Sequence, residues 1–241
     1  MTFYPGGKKY KGKEIAEVMY NFIQNFEKEN DSKYEKFIGY CEPFCGMLGV
    51  YENSLELFEN HTPKLKYKAG DRNPYIITLW KGLQKGWKPP TSCSEKKYYQ
   101  MKDTEDISLE TIFVGFACSI RGVFRSTYFP PNNVKMQAEH CITIGEKARK
   151  NKIKFTIGEY TQFSVLQKYI IYCDPPYFGT QNAYHIGDTK NNEFDYTKFL
   201  IWCDKMSEHN LVFISDYHKP HKNCHLIWEK GKEKLFIYNK N

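Results

Sequence analysis

Residues 170–178 read Ile-Ile-Tyr-Cys-Asp-Pro-Pro-Tyr-Phe, and Tyr169 stands in front of them. The run before Asp174 is apolar and β-prone, the pattern of a strand buried on both faces in the middle of a sheet. Two prolines stop it, because proline cannot donate to a sheet ladder. Asp174, Pro175, Pro176 and Tyr177 are therefore expected just past the carboxyl end of a central strand, where open α/β sheets bind ligands. The Asp174 carboxylate and the Pro175 carbonyl are two hydrogen-bond acceptors on stiff backbone. Tyr177 adds a flat ring face. Together they suit a planar ring carrying an exocyclic amine. The bland alternative is a strand and a Pro-Pro turn that happens to contain an acid.

Working outward, Phe37–Cys41 reads as a short buried strand that runs into Glu42-Pro43-Phe44-Cys45-Gly46-Met47-Leu48-Gly49. Strand, glycine turn and helix is the general plan of a nucleotide-cofactor loop, with close backbone approach allowed by glycine. Leu65–Ala69 reads as a second strand ending at Gly70-Asp71. The spacing from Gly46 to Asp71 approaches that expected of an acid that binds ribose hydroxyls. Asn73 caps a helix with Pro74 at its first position, an Ile76, Leu79, Trp80, Leu83 stripe and a stop at Gly86. Upstream, Tyr4-Pro5-Gly6-Gly7-Lys8 offers flexible backbone and an ammonium that can reach a carboxylate. Ile15, Val18, Met19, Phe22, Ile23 and Phe26 follow as one helical apolar stripe.

From Trp87 to about Lys152 the alternation of strand and helix breaks. Between Ser119 and Lys154 eight Lys or Arg face two Glu. Arg121, Arg125 and Lys135 lie here among aromatics, a composition that suits a nucleic-acid surface or a solvated helical insertion. Ile153–Ile157 reads as a strand ending at Gly158-Glu159-Tyr160. The polar stretch 179–193 reads as a loop that orders over substrate. Phe199, Trp202, Cys203 and Met206 mark a helix, Leu211–Ser215 a strand before Asp216-Tyr217, and Leu226–Trp228 and Leu235–Tyr238 a closing hairpin around Gly231.

Asp174-Pro175-Pro176-Tyr177 resembles the catalytic signature of amino-methyltransferases that act on DNA bases. The order of the other motifs resembles Dam-type DNA adenine methyltransferases, especially those of bacteriophages and large DNA viruses. Tyr4-Pro5-Gly6-Gly7-Lys8, Glu42-Pro43-Phe44-Cys45-Gly46 and Ala69-Gly70-Asp71-Arg72-Asn73 match that family's cofactor motifs, with Arg72 in place of a small apolar residue. The resemblance implies an α/β, Rossmann-like class I methyltransferase sheet with an inserted helical target-recognition domain. It implies a catalytic domain over 1–86 and 151–241 and a DNA-binding insertion over 87–150. S-adenosyl-L-methionine would be the cofactor, held by Tyr4, Gly7, Lys8, Glu42, Pro43, Phe44, Gly46, Asp71, Glu159, Tyr160 and Asp174. The catalytic residues would be Asp174, Pro175, Pro176 and Tyr177. Arg121, Arg125 and Lys135 would meet double-stranded DNA, Arg125 at the arginine position that the family keeps and Arg121 where it has asparagine. The implied reaction is methylation of adenine N6 on a flipped base, by a solitary enzyme or one in a restriction-modification pair, with no obligatory metal.

Other amines stay in play: cytosine N4, RNA adenine or a protein glutamine. Glutamine-modifying relatives carry Asn at position 174 and cytosine-N4 enzymes usually place Ser before Pro-Pro, so Asp174 argues against both. A DNA-binding module with a decayed site is the remaining alternative, opposed by Lys8, Asp71 and Asp174. The 241 residues suit one large domain or one with an insertion. The net charge of +7 and pI near 8.8 lean toward polyanions. None of the eight cysteines forms a Cys-x-x-Cys pair, and no stretch approaches the about 18 apolar residues of a membrane span. A reducing intracellular setting with buried free thiols is expected, inside a bacterium or a virus-infected cell. His218, His221, Cys224 and His225 crowd into one loop without the paired spacing of zinc modules, and read as a polar loop.

Overall fold

In the computed structural model, which describes residues 7–8, 10–29, 36–105, 107–129, 134–177 and 194–239, the chain forms a seven-stranded mixed sheet flanked by helices. Along the chain run α1 (Gly12–Glu29), β1 (Gly39–Glu42), α2 (Tyr51–Leu57), β2 (Lys66–Asp71), α3 (Pro74–Gln84), α4 (Glu95–Lys102), α5 (Leu109–Ala117), α6 (Val134–Lys150), β3 (Lys154–Ile157), β4 (Tyr169–Cys173), α7 (Tyr196–Met206), β5 (Leu211–Asp216), β6 (Cys224–Lys230) and β7 (Glu233–Tyr238). The strand order is β3-β2-β1-β4-β5-β7-β6. The first five are parallel, and β7 inserts antiparallel between β5 and β6. This is a Rossmann-like α/β sheet, with the strand order and directions expected of a class I methyltransferase sheet.

β4 lies at the centre of that order, and all five of its residues are buried. Its alternation feeds two cores. Ile170 and Tyr172 join Tyr40 and Phe213 on one face; Tyr169, Ile171 and Cys173 join Cys41, Val212 and Ile214 on the other. The first face is covered by α1, α2, α3, α5 and α6. The second is covered by α7 and a short 3-10 turn over Tyr160–Phe163. A strand with helices on both faces has no polar side, which is why β4 reads as an unbroken apolar run.

The segment 87–150 carries α4, α5 and α6. However, Ile112, Phe113, Val114, Phe116, Ala138, Cys141, Ile144 and Ala148 of α5 and α6 belong to the same core as Ile76, Leu79, Trp80 and Leu83 of α3. Two of its basic residues serve packing rather than a ligand surface. Lys147 pairs with Glu56 at 2.6 Å and Lys150 with Glu59 at 2.7 Å, tying α6 to the end of α2. The window's positive excess is therefore partly neutralised by acids from outside it.

The capping expectations hold: the Asn73 side chain accepts the Tyr75 amide at 3.0 Å with Pro74 in the first turn. The helix after the glycine loop begins only at Tyr51, later than a direct strand-turn-helix reading implies. Leu48 at φ 57° and Gly46 at φ 43° prolong the turn. The hairpin β6–β7 is longer than its apolar cores suggest. All eight cysteines are free thiols; seven are buried and Cys93 is half-buried. His221 stacks on the Tyr238 ring and shares a 3.2 Å hydrogen bond with its hydroxyl, while Cys224 is buried in β6. Among the described residues no helix is long and apolar enough to cross a membrane, and no group of three or more His, Cys, Asp or Glu is placed to hold a metal ion.

Candidate active site

Sheet register brings the motifs together. Cys41 lies opposite Ile171, so Glu42 and the turn after it leave the sheet beside Cys173 and Asp174. Ala69 lies opposite Glu42, which sets Gly70 and Asp71 against the same turn. The site is therefore a row of loop residues along the carboxyl ends of β2, β1, β4 and β5.

Asp174 follows β4 directly, with an 18 % exposed side chain. Its Oδ1 accepts Lys8 Nζ at 2.7 Å and the Tyr177 hydroxyl at 3.0 Å. Both bonds fall on one oxygen, so Oδ2 takes no hydrogen bond from a described residue. The Tyr177 hydroxyl also donates to Glu233 Oε1, and Lys8 Nζ lies 3.6 Å from that oxygen. Lys11 Nζ stands 3.9 Å from Glu233 Oε2. Two carboxylates thus share one ammonium and one phenol. The Tyr177 ring meets Tyr217 edge-on at 4.5 Å, and Lys8 Nζ sits 4.8 Å from its centroid. One face expected to be open for stacking is therefore partly taken by Lys8.

Burial and charge set the protonation pattern. Burial disfavours the Lys8 ammonium, but Asp174 and Glu233 outweigh it and push the group above its ordinary value. Burial and the Asp174 charge hold the Tyr177 phenol far above its usual range, so it stays a donor. Burial raises the Glu233 carboxyl, with Asp174 adding to the rise and Lys8 and Tyr177 opposing it. Glu42, 2 % exposed, receives the Tyr40 hydroxyl at 2.6 Å, and burial lifts its carboxyl well above the carboxylate range. Ser54 in turn donates to the Tyr40 oxygen at 3.1 Å.

The glycine loop is fixed from both sides. Asp71 Oδ2 accepts the Gly46 amide at 2.9 Å, and Asp71 Oδ1 accepts the Asn73 amide at 2.8 Å. Trp80 Nε1 donates to the Gly46 carbonyl at 2.9 Å. Gly46 needs its left-handed φ for this double clamp, a conformation glycine adopts without a Cβ penalty. Burial raises the Asp71 carboxyl to about 6 against the two amide donors. Asp71 is thus also the brace of the loop, a role the ribose reading did not include. Gly49 packs on the Lys8 backbone, where a Cβ would lie 3.1 Å from the carbonyl carbon. Gly7 precedes Lys8 at this contact.

Phe44 stacks on Tyr160 with centroids 5.5 Å apart, and Phe194 and Phe199 meet it edge-on. Pro43 begins the turn that carries Phe44 there. Glu159 is exposed and pairs with Arg72 Nε at 3.1 Å, so the arginine at the end of β2 finds its acid beside β3. Tyr4 and the polar stretch 179–193 lie outside the described residues.

The three basic candidates separate. Arg125 Nη1 donates to the Thr104 carbonyl at 3.0 Å, and its guanidinium lies 5.4 Å from the Phe124 ring. Phe124 stacks on Tyr75 at the start of α3, 4.6 Å between centroids. Arg125 is thus turned into the insertion, not presented as an exposed fork. Arg121 is exposed at φ 53°, and Lys135 is 75 % exposed, 3.9 Å from Glu139. Glu233, Tyr217 and Trp80 are site residues that sequence reasoning missed.

No family model matches the chain, and no curated protein matches it. A conserved hypothetical protein from Streptococcus pyogenes has a TM-score of 0.37 at 12 % identity, over 89 % of this chain and 94 % of that one. The rRNA methyltransferase aviRa from Streptomyces viridochromogenes has a TM-score of 0.41 at 10 % identity, over 98 % and 87 %.

Proposed function

We propose that this protein is an S-adenosylmethionine-dependent methyltransferase that acts on adenine N6 in DNA. The observation that carries the reading is Asp174 beyond β4, held through Oδ1 by Lys8 and Tyr177 with Oδ2 turned to no described partner. An exocyclic amine has two hydrogens. Oδ2 would accept one and the Pro175 carbonyl the other, which draws the nitrogen lone pair out of conjugation. Pro175 is buried and followed by Pro176, so the carbonyl stays where it is needed. Positioning and fixed dipoles then supply most of the rate. An adenine inside a duplex cannot reach this row of loops, so it would be flipped out, at an unstacking cost of a few kcal/mol.

The residues present fit S-adenosylmethionine. Each Asp71 oxygen uses one lone pair on a backbone amide and retains another for a ribose hydroxyl. Phe44 and Tyr160 offer an aromatic wall for the adenine, with Glu159 at its edge. Gly46 permits close approach of the backbone. When bound, the cofactor supplies an electrophilic methyl group. Lys8 belongs to Asp174 and Glu233 here, so its part in cofactor binding is indirect, through the position of the Gly7–Lys8 backbone against Gly49. Arg121 and Lys135 are the exposed cations assigned to DNA phosphates, and Arg125 shapes the segment that carries Arg121.

The test is incubation of purified protein with S-adenosylmethionine and, separately, duplex DNA and RNA, followed by mass spectrometry of the nucleosides. N6-methyldeoxyadenosine from DNA is the expected product. N4-methyldeoxycytidine, or N6-methyladenosine from RNA alone, would move the assignment to that amine. No methylated nucleoside from either, with S-adenosylmethionine unbound, would leave a nucleic-acid-binding module without catalysis.

A further inference from the structure

We infer that Glu233 is a positioning residue for Asp174, the second acceptor of a donor pair that both carboxylates share. The inference rests on the proposed function of the same site and adds a residue from the closing hairpin to it. Tyr177 has one phenolic proton and two carboxylates within reach, Asp174 Oδ1 at 3.0 Å and Glu233 Oε1. It can satisfy only one of them at a time. Lys8 Nζ is bonded to Asp174 at 2.7 Å with Glu233 at 3.6 Å. A small movement of either donor shifts it from one acid toward the other.

That exchange matters when an amine approaches Asp174. A carboxylate that accepts an ammonium and a phenol is a weakened acceptor for a third donor. As one amine hydrogen engages Asp174, the Tyr177 hydrogen bond and the Lys8 charge shift toward Glu233, and Asp174 keeps more of its acceptor strength. The second negative charge also favours positive charge developing on the substrate nitrogen. No covalent step is involved, only the redistribution of hydrogen bonds.

Glu233 is built for this place. It is 5 % exposed, begins β7 and lies opposite Lys230 across the hairpin. The hairpin is moored to the start of α1 by the Lys230–Glu14 ion pair and by Lys11 Nζ on the Lys230 carbonyl at 3.3 Å. The charged and titratable groups facing Glu233 are Lys8 and Lys11 ahead of α1, Asp174 and Tyr177 after β4, and Tyr172 within β4. Burial raises the pKa of this acid, and Lys8 and the Tyr177 hydroxyl oppose the rise.

Single-turnover methylation of adenine-containing duplex by wild type, Glu233→Gln, Tyr177→Phe and the double variant tests the idea, with rates and thermal unfolding recorded for each. Glu233→Gln keeps the shape and removes the charge. Its rate is expected to fall roughly tenfold or more, the effect of one hydrogen bond to a charged group. The KM for S-adenosylmethionine should stay within about twofold, so that the loss falls on the rate and not on cofactor binding. In the Tyr177→Phe background the same substitution should cost less, because the shared proton is gone. If Glu233→Gln is poorly folded, Glu233→Asp decides: a slower, folded enzyme with an unchanged KM for S-adenosylmethionine supports the role, and one at the wild-type rate overturns it. A Glu233→Gln rate equal to wild type, or effects that add fully with Tyr177→Phe, overturn the role of Glu233 and leave the methyltransferase reading standing. A wild type that methylates no nucleic acid overturns both.

Discussion

Asp174→Ala separates the chemistry of the site from its stability. The substitution removes two bonds, Lys8 Nζ at 2.7 Å and the Tyr177 hydroxyl at 3.0 Å. Tyr177 retains Glu233, so its loss is small. Lys8 gives up a hydrogen bond to a charged group, about 1.5–3 kcal/mol, and keeps Glu233 at 3.6 Å. Relief of repulsion between the two acids offsets part of that. The expected loss of stability is about 1–2 kcal/mol, a fall in Tm of about 2–8 °C for a chain of this size. On the proposed function, the expected loss in rate is on the order of 10² or more, since the missing acceptor would act at the reacting nitrogen. Asp174→Asn should be nearly as slow, because its amide keeps one acceptor but turns a donor toward Lys8 or the substrate. Calorimetric unfolding and single-turnover methylation on the same preparations give both numbers. A rate within about tenfold of wild type would falsify the catalytic role. A rate loss that merely follows a collapse in Tm would reduce Asp174 to a structural ion-pair partner.

Asp71→Ala should weaken S-adenosylmethionine binding and loosen the Gly46 turn together, read by titration calorimetry and by hydrogen exchange at the Gly46 amide. With the Asp71 carboxyl at about 6, S-adenosylmethionine affinity of wild type should rise from pH 5 to pH 7 as the acid ionises. The stability sign is opposite. The folded state binds the Asp71 proton more tightly than the unfolded chain, so this group's contribution is full below its unfolded value of 3.8 and is lost as pH rises through about 6. Glu42→Gln should change stability by less than about 1 kcal/mol at neutral pH, because burial already favours the uncharged acid and the amide oxygen can accept from Tyr40; a larger loss in urea unfolding would mean a charged Glu42. Arg121→Ala should weaken binding to any DNA and flatten the salt dependence by about 0.9 in log–log slope, whereas Arg125→Ala should lower stability by about 1–2 kcal/mol through the Thr104 carbonyl bond. A change in methylated sequence with Arg125→Ala, on a plasmid methylation map, would instead make that side chain a reader of the bases.

The elements whose signals are local were legible. β4 is buried on both faces and ends at two prolines, so its run and its stop are both written in ten residues. The Asn73-Pro74 cap needs only its own turn. What escaped depends on distant parts of the chain. Glu233 becomes a site residue only because β7 returns antiparallel against β5, and nothing around Gly231 marks the acid as different from its neighbours. The partner of Lys8 was open for the same reason, since an ammonium in the sequence shows its charge but not which carboxylate it will meet. Arg125 shows the converse: its charge is visible, its inward direction is not, because that direction follows from the packing of Phe124 on Tyr75. The expected Asp71 ribose contact left out the brace on Gly46, a bond to a backbone amide that no side-chain pattern reveals.

Lys8 and Glu233 stand far apart along the chain and meet only through the hairpin. During synthesis, Asp174 emerges roughly sixty residues before Glu233, an interval of about 3–12 s at ordinary elongation rates. Through that interval the buried ammonium has one carboxylate instead of two, and β5 presents the edge that β7 will later pair. A nascent chain therefore lacks the second carboxylate of this cluster, and its bare strand edge is the place where it is most exposed to pairing with another chain. A protease cut at the Gly231 turn would leave β7 held by its ladder to β5 and β6, by Leu235, Phe236, Ile237 and Tyr238 in the cores and by the Glu233 contacts to Lys8 and Tyr177.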